Sequence, residues 1–428
     1  LYDQRLNVDD WMYRHALKEG EPSMNHEDRP VPEASGLQIL QGVRVISFTQ
    51  FLLGPSGVQF LADLGADVIK IEPPGGKLWE RNWSGSDLYL NGVSAFFVCA
   101  HRNQRSLTLD LKHPEGQDIA RRLVQQADVL VQNFRPGVMQ RFGLDYDTVH
   151  AMYPRLIYVS ASGYGQTSKY RDRPGQDLLM QALSGLATIS GRAGQPPTPV
   201  GTAVVDQHGA TLLAFGVLAA LLERQRTGQG LHVEVSMLRA ALDLQREILS
   251  YVLNGAQMQK SPTSLATMFH PGPYGVYETK DGYIALSMTP LPVLQEALNL
   301  PELEPYATEP YNFPHREDIA RVLEPVLRTR TTSEWMEFLV PRGVWAAPIL
   351  APGEIFSDPI GQEADAVEEI DHPVMGPVKL LRFPLEFSTG RASIHRPPPM
   401  PGEHAEEILH EIGFSNQDIA RMRQQGTV

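Results

Sequence analysis

The chain has 428 residues, enough for two or three domains and a sizeable core. Acidic residues outnumber basic ones 50 to 37, a net charge of −13, so the chain-wide basic field that would hold nucleic acid is absent. A single cysteine, Cys99, excludes a disulfide framework or a multi-cysteine metal site within the chain and suits a reducing cytoplasm.

Residues 1–36 carry eight acids, four bases and three prolines, and read as an N-terminal extension with one short helix over Asp10–Lys18. The opening residues lack the apolar core of a signal peptide. The longest apolar run, Gly209–Leu222, is shorter than the roughly 20 residues a bilayer requires, so no membrane partner is expected. From residue 37 strand and helix patterns alternate. VRVISF (43–48) is a strand, Gly54-Pro55 opens a helix to Leu64, and DVIKI (67–71) is the next strand. LTLDL (107–111), DVLVQ (128–132) and LIYVSAS (156–162) continue as strands, each followed by a helix, the last of these near 176–186. TAVVD (202–206) reads as a strand feeding an apolar helix at 209–225, followed by HVEVSM (232–237) and a helix at 238–253. Such alternation predicts an α/β fold with a doubly wound parallel sheet over 37–253.

The texture changes at 254. A hairpin, YGVYET-KDG-YIALSM (274–288), then helices near 291–298, 315–328 and 332–341, predict a smaller α+β domain over 254–340. Residues 341–428, with WAAPIL (345–350), a hairpin near 373–388 and a helix at 403–412, are expected to return to the large domain, making the small domain an insertion.

The first strand–helix turn, FTQFLLGPSG (48–57), lacks the G-x-G-x-x-G of a dinucleotide site. Residues 101–141 hold seven bases, among them Arg102, Arg105, Lys112 and Arg141, against four acids. In an acidic chain that stretch is either a phosphate-binding face or two solvated helix faces. NFRPG (133–137) follows a strand, where α/β loops reach ligands, but it also reads as a tight turn. Asp206 is either a helix N-cap or a carboxylate nucleophile, and a helix N-terminus would lower its pKa. Asp177 carries the same ambiguity. His208 reads as a core or surface histidine, and Cys99 as a buried structural thiol.

Taken in order, GVRVISFTQFLLGP, GADVIKIEPPGG, NQRSLTLDLKHPEG, DVLVQNFRPGVMQRFGL, RLIYVSASGYGQT, RPGQDLLMQALSG, VVDQHGA, ERQRTGQG, PYGVYETKDGYIAL and GEHAEEILHEIG resemble the class III CoA-transferase family, which includes formyl-CoA and carnitine CoA-transferases and α-methylacyl-CoA racemases. The resemblance runs from about 37 to 428. It implies a Rossmann-like large domain built from both chain ends, an inserted small domain, and an interlocked homodimer. It makes Asp206 the nucleophile and Leu109, Lys112, Asn133, Phe134 and Arg141 the CoA contacts, with Arg105 in the same basic stretch. It implies acyl-CoA and a small carboxylic acid as substrates, with no cofactor beyond coenzyme A as co-substrate and no metal. Racemases of the family carry His immediately before the Asp of RPGQD. Here that position is Gln176, which disfavours racemisation and leaves Gln176 and Asp177 to orient groups around Asp206. Backbone N–H groups near Gly209 are the expected oxyanion donors. The glycine-rich loop of formyl-CoA transferases is absent from SPTSLATMFHPGP (261–273), so oxalate and formate are not the expected substrates. A catalytically silent CoA-binding protein is the alternative from another class.

Overall fold

The computed structural model describes residues 37–307 and 313–428; the expected extension and the helix over Asp10–Lys18 lie outside them. Among the described residues a central sheet is formed by β1 (Arg44–Phe48), β2 (Asp67–Glu72), β3 (Gln104–Thr108), β4 (Val129–Gln132), β5 (Ile157–Ser162) and β6 (His232–Ser236). The spatial order is β3-β2-β1-β4-β5-β6, and every pairing is parallel. The helices used below are α1 (Leu53–Asp63), α2 (Pro114–Gln125), α3 (Asp177–Leu183), α4 (Val204–Thr227), α5 (Met237–Leu244), α6 (Arg316–Leu327), α7 (Thr332–Leu339), α8 (Ala405–Glu411) and α9 (Asn416–Gln424); others, among them Tyr146–Met152, Arg246–Leu253 and Leu291–Leu298, lie between them.

Alternation along each strand splits the core into two layers. Val45, Val68, Val129 and Val131 face α1, α4 and α5, meeting Leu61, Leu213, Val217 and Ala240. Ile46, Ile69, Leu107 and Leu130 face the other way, against Ile119 and Leu123 of α2 and Ile408, Leu409, Ile419 and Met422 of α8 and α9. The chain end therefore packs on the same sheet as its beginning. Helix α4 lies close on α1 because a Cβ at Gly209 would stand 2.5 Å from Leu53 Cδ1, and one at Gly57 2.9 Å from Leu213 Cδ2.

Several sequence readings need correction. Residues 202–206 are not a strand: α4 begins at Val204, so Asp206 sits in its first turn. At 24 residues α4 is long and apolar enough to cross a membrane by length and composition, beyond the run read from the sequence. Here Val205, Ala210, Leu213, Val217 and Leu221 are buried against the sheet and its helices, the position of a core helix. Strand β3 is shifted to 104–108, and the helix at 238–253 is two, meeting at Gln245. Cys99 is exposed, not buried.

The small α+β unit is a three-stranded antiparallel sheet, β7 (Gly275–Glu278), β8 (Tyr283–Leu286) and β9 (Ala346–Pro348), backed by α6 and α7 around Tyr277, Ile284, Leu323 and Trp335. Because β9 completes this sheet, the unit runs on past 340. The expected hairpin near 373–388 is instead Val367–His372 paired with Gly376–Leu381, with a second, very short one at 386–391.

Candidate active site

The strand order reverses between β1 and β4, and their C-terminal ends open the crevice that α/β sheets use for ligands. Two hydrogen bonds tie that crevice across its floor. The backbone N–H of Gln50 donates to Asn133 Oδ1 at 2.9 Å, and Asn133 Nδ2 donates to the Gln50 carbonyl at 2.8 Å. Gly54 belongs to the same corner, since a Cβ there would lie 2.7 Å from Thr49 Cβ and 3.1 Å from Asn133 Nδ2.

Above this floor is a cavity of about 510 Å³. Asp206, Asp177, Gln176, Asn133 and Phe134 all line it, although they come from three separate stretches of chain. Phe51, Trp79, Trp83 and Phe96 form an aromatic wall, with Trp79 stacked on Trp83 at 4.6 Å and Phe51 at 4.9 Å from Trp79. Arg135, Arg171 and Arg173 supply cationic lining.

Asp206 owes its placement to Asp177. The residue at the N-cap position of α4 is Ala203, which has no side chain to cap the helix. The Asp177 carboxylate does so from outside: Oδ2 accepts from the N–H of Val205 at 2.7 Å and of Asp206 at 3.0 Å, while Oδ1 accepts from Gln181 Nε2 at 2.5 Å. With those amides taken, no group among the described residues hydrogen-bonds the Asp206 carboxylate. Burial pushes that carboxyl up from 3.8 to about 7, and the charge on Asp177 adds to the rise. The helix N-terminus therefore does not lower the Asp206 pKa as the sequence suggested. Gly209 lies within α4 against Leu53, not on an open turn, so the expected oxyanion donors there are not free.

The remaining candidates divide. Lys112 and Arg141 are exposed, following the C-terminal ends of β3 and β4, the same sheet edge as the cavity. Leu109 is 2% exposed and belongs to the core. Arg105 is not a ligand-facing cation. It sits near the opposite, N-terminal edge, where its guanidinium, 4% exposed, pairs with Asp67, Glu407 and Glu411. His208 is a surface-side histidine held by Asp243 at 2.8 Å. The sequence reading did not single out Gln50, the aromatic wall, Arg171 or Arg173. Only the position of Arg171 and Arg173, immediately before PGQD, could have signalled them.

A parallel sheet with a carboxylate in the first turn of a helix, lining a cavity at the switch point, is an α/β architecture with a candidate nucleophile in its crevice. The profile of CoA-transferase family III matches residues 40–405, and the chain belongs to that family. It is 32% identical to an acyl-CoA transferase of Fusarium pseudograminearum, over 94% of this chain and 91% of that one. It is 31% identical to the succinyl-CoA:glutarate CoA-transferase of Mus musculus, over 90% and 88%. It is also 32% identical to the succinyl-CoA–D-citramalate CoA-transferase of Chloroflexus aurantiacus, over 90% and 96%. A CAIB/BAIF family protein from Brucella suis superposes with a TM-score of 0.75 at 29% identity, covering 87% of this chain and 99% of that one.

Proposed function

We propose that this CoA-transferase moves CoA from an acyl-CoA donor to a small carboxylic acid through covalent intermediates on Asp206. A carboxylate oxygen of Asp206 attacks the thioester carbonyl, the C–S bond breaks, and CoA leaves as a thiolate, giving an aspartyl–acyl anhydride. The thiolate then attacks the aspartyl carbonyl and expels the donor's acid, leaving an aspartyl-CoA thioester. The acceptor carboxylate repeats these steps in reverse. A carboxylate suits the task because it mimics both acids, so each intermediate lies close in energy to the next, whereas a hydroxyl would form a stable ester trap.

The observation that carries the reading is the state of the Asp206 carboxyl: it faces a cavity, is largely desolvated, and is engaged by no protein donor among the described residues. An anion so placed is a stronger nucleophile than a solvated or capped one, while Asp177 holds its backbone. CoA is proposed to follow the sheet edge from Lys112 and Arg141 to Asn133 and Phe134. The names of the relatives point to dicarboxylic acids, and Arg135, Arg171 and Arg173 offer the guanidinium groups that a second carboxylate needs. Gln176 cannot exchange protons at neutral pH, which weighs against racemisation. A homodimer is part of the proposal, supported by exposed apolar side chains such as Leu183, Phe215, Leu222 and Leu253. The test is trapping with hydroxylamine or borohydride during turnover with succinyl-CoA and glutarate. Modification confined to Asp206, and its loss in Asp206→Ala, is the expected result; near-wild-type transfer by Asp206→Ala would overturn the reading.

A further inference from the structure

Beneath the aromatic wall lies a charged pair that the transfer chemistry does not use. Lys70 on β2 and Glu80 on the short helix Trp79–Asn82 are both 0% exposed, with Lys70 Nζ 3.5 Å from Glu80 Oε1. Neither oxygen of Glu80 has a hydrogen-bond partner of good geometry among the described residues, although the backbone amides of Glu80 and Phe51 also favour its anion. The neighbouring carboxylate, Glu72, is taken by Arg81 through two bonds of 2.6 and 2.7 Å. His101, also buried nearby, places Nδ1 on the Phe97 carbonyl at 2.7 Å. Glu80 is thus the carboxylate left for Lys70.

Lys70 in turn reaches the catalytic corner. Its Nζ donates to the Thr49 carbonyl at 3.0 Å. Thr49 precedes Gln50, which is tied to Asn133, and Phe51, which stands at φ 63° and meets Trp79 in the cavity wall. The Thr49 side chain is held as well, by Ser47 Oγ at 2.8 Å and by the close pass of Gly54. A non-glycine residue at positive φ persists only where its surroundings over-determine it, and the Lys70 bond is one such constraint. Glu80 lies between Trp79 and Trp83 in sequence, so the same short helix carries the buried carboxyl and one ring of the wall, and ends at the other.

We propose that Glu80 is a positioning residue for the cavity: acting through Lys70, it fixes the Thr49 carbonyl and so holds the Gln50–Phe51 corner against the Trp79–Trp83 wall. The pair touches no reacting atom. Burial raises the Glu80 carboxyl and lowers the Lys70 ammonium, and the charge each places on the other is the largest influence opposing that, ahead of Glu72 on Lys70 and the Glu80 and Phe51 amides on Glu80. Removing one leaves its partner buried and unpaired, and the loop it holds relaxes.

The proposal rests on the cavity being the substrate site, and the assay keeps the two apart. Steady-state kinetics with succinyl-CoA and glutarate are measured for wild type, Glu80→Gln, Lys70→Met and the Lys70→Met/Glu80→Leu double variant. Glu80→Gln keeps the volume and is expected to raise KM for the acid about tenfold with kcat within about twofold. In the Lys70→Met background, Glu80→Leu is expected to change KM no further, because the route through Lys70 is already cut. The double variant removes both charges and remains foldable if the single Lys70 variant does not, since an apolar pair can replace a buried ion pair; the expected result is then that its KM matches that of Glu80→Gln. Wild-type KM in Glu80→Gln, a further rise on adding Glu80→Leu to Lys70→Met, or a double-variant KM equal to wild type would overturn the positioning role. Full activity in Asp206→Ala would instead overturn the assignment of the site.

Discussion

Replacing Asp206 by Asn is expected to stabilise the protein while removing transfer. The carboxyl titrates at about 7 in the fold, against an ordinary 3.8. The folded state thus holds its proton over about three pH units in which the unfolded chain has lost it, worth up to about 4 kcal/mol at 1.36 kcal/mol per unit. Solvent reaching the open cavity and the coupling to Asp177 reduce that ceiling, and about 2 kcal/mol is the expected gap. Its sign is fixed. Below pH 3.8 both states are protonated and the gap vanishes. As pH rises the unfolded chain ionises first, so wild-type stability falls relative to the variant, and the gap is complete above about 8. Urea unfolding of both proteins at pH 5, 6, 7 and 8, at one protein concentration, reads this directly as a midpoint difference that widens with pH. A difference that stays flat or narrows from pH 5 to 8 would refute the claim that burial holds Asp206 protonated. Wild-type kcat/KM should show the same group as an acid limb near 7, since the attacking form is the anion.

Asp177→Asn keeps an oxygen to cap α4 but removes the charge beside Asp206, so the acid limb should move to lower pH with the fold intact; an unmoved limb counts against the coupling. Lys112→Ala and Arg141→Ala should each weaken CoA binding about tenfold, more at low salt than at high, by calorimetry; unchanged affinity in both excludes the proposed path along the sheet edge. Arg105→Gln should lower stability by about 2 kcal/mol, less than a fully buried break because its partners are a third to a half exposed, and should leave CoA affinity unchanged. A loss of CoA binding without loss of stability would return Arg105 to the ligand face.

The main strands were legible because their Val and Ile runs are buried on both faces, a pattern that depends on nothing distant. β3 was misplaced by three residues because its buried members are Gln104, Arg105 and Ser106. Arg105 is acceptable in a strand only through Asp67, Glu407 and Glu411, and Ser106 is met by Glu72; the nearness of these partners is a tertiary fact. The start of α4 was hidden for the same reason. Thr202–Asp206 has β-type composition, and the cap that makes its end helical is Asp177, 28 residues before Val205. The identity of the nucleophile could be read from the motif, but the direction of its pKa could not, because the amides that would have lowered it are occupied by that distant carboxylate. The aromatic wall was missed because Trp79, Trp83 and Phe96 follow no periodic pattern and converge only when the 73–100 segment folds over the crevice.

The edge of the sheet has a consequence for the order in which the molecule can be assembled. β3 is complete at residue 108, yet its outer side is closed by the far end of the chain. Gly402 N–H donates to Ser106 Oγ across 296 residues, His404 N–H donates to the Ser106 carbonyl, and Asp110 N–H donates to the Thr427 carbonyl. During synthesis the first five strands emerge early, but the large unit cannot finish until the small one has been made and residues 402–427 arrive. Such long-range closure slows folding and leaves an unprotected strand edge in the meantime, open to pairing with another nascent copy. A chain truncated before 402 should therefore keep much of its secondary structure and still aggregate, its sheet left unsealed.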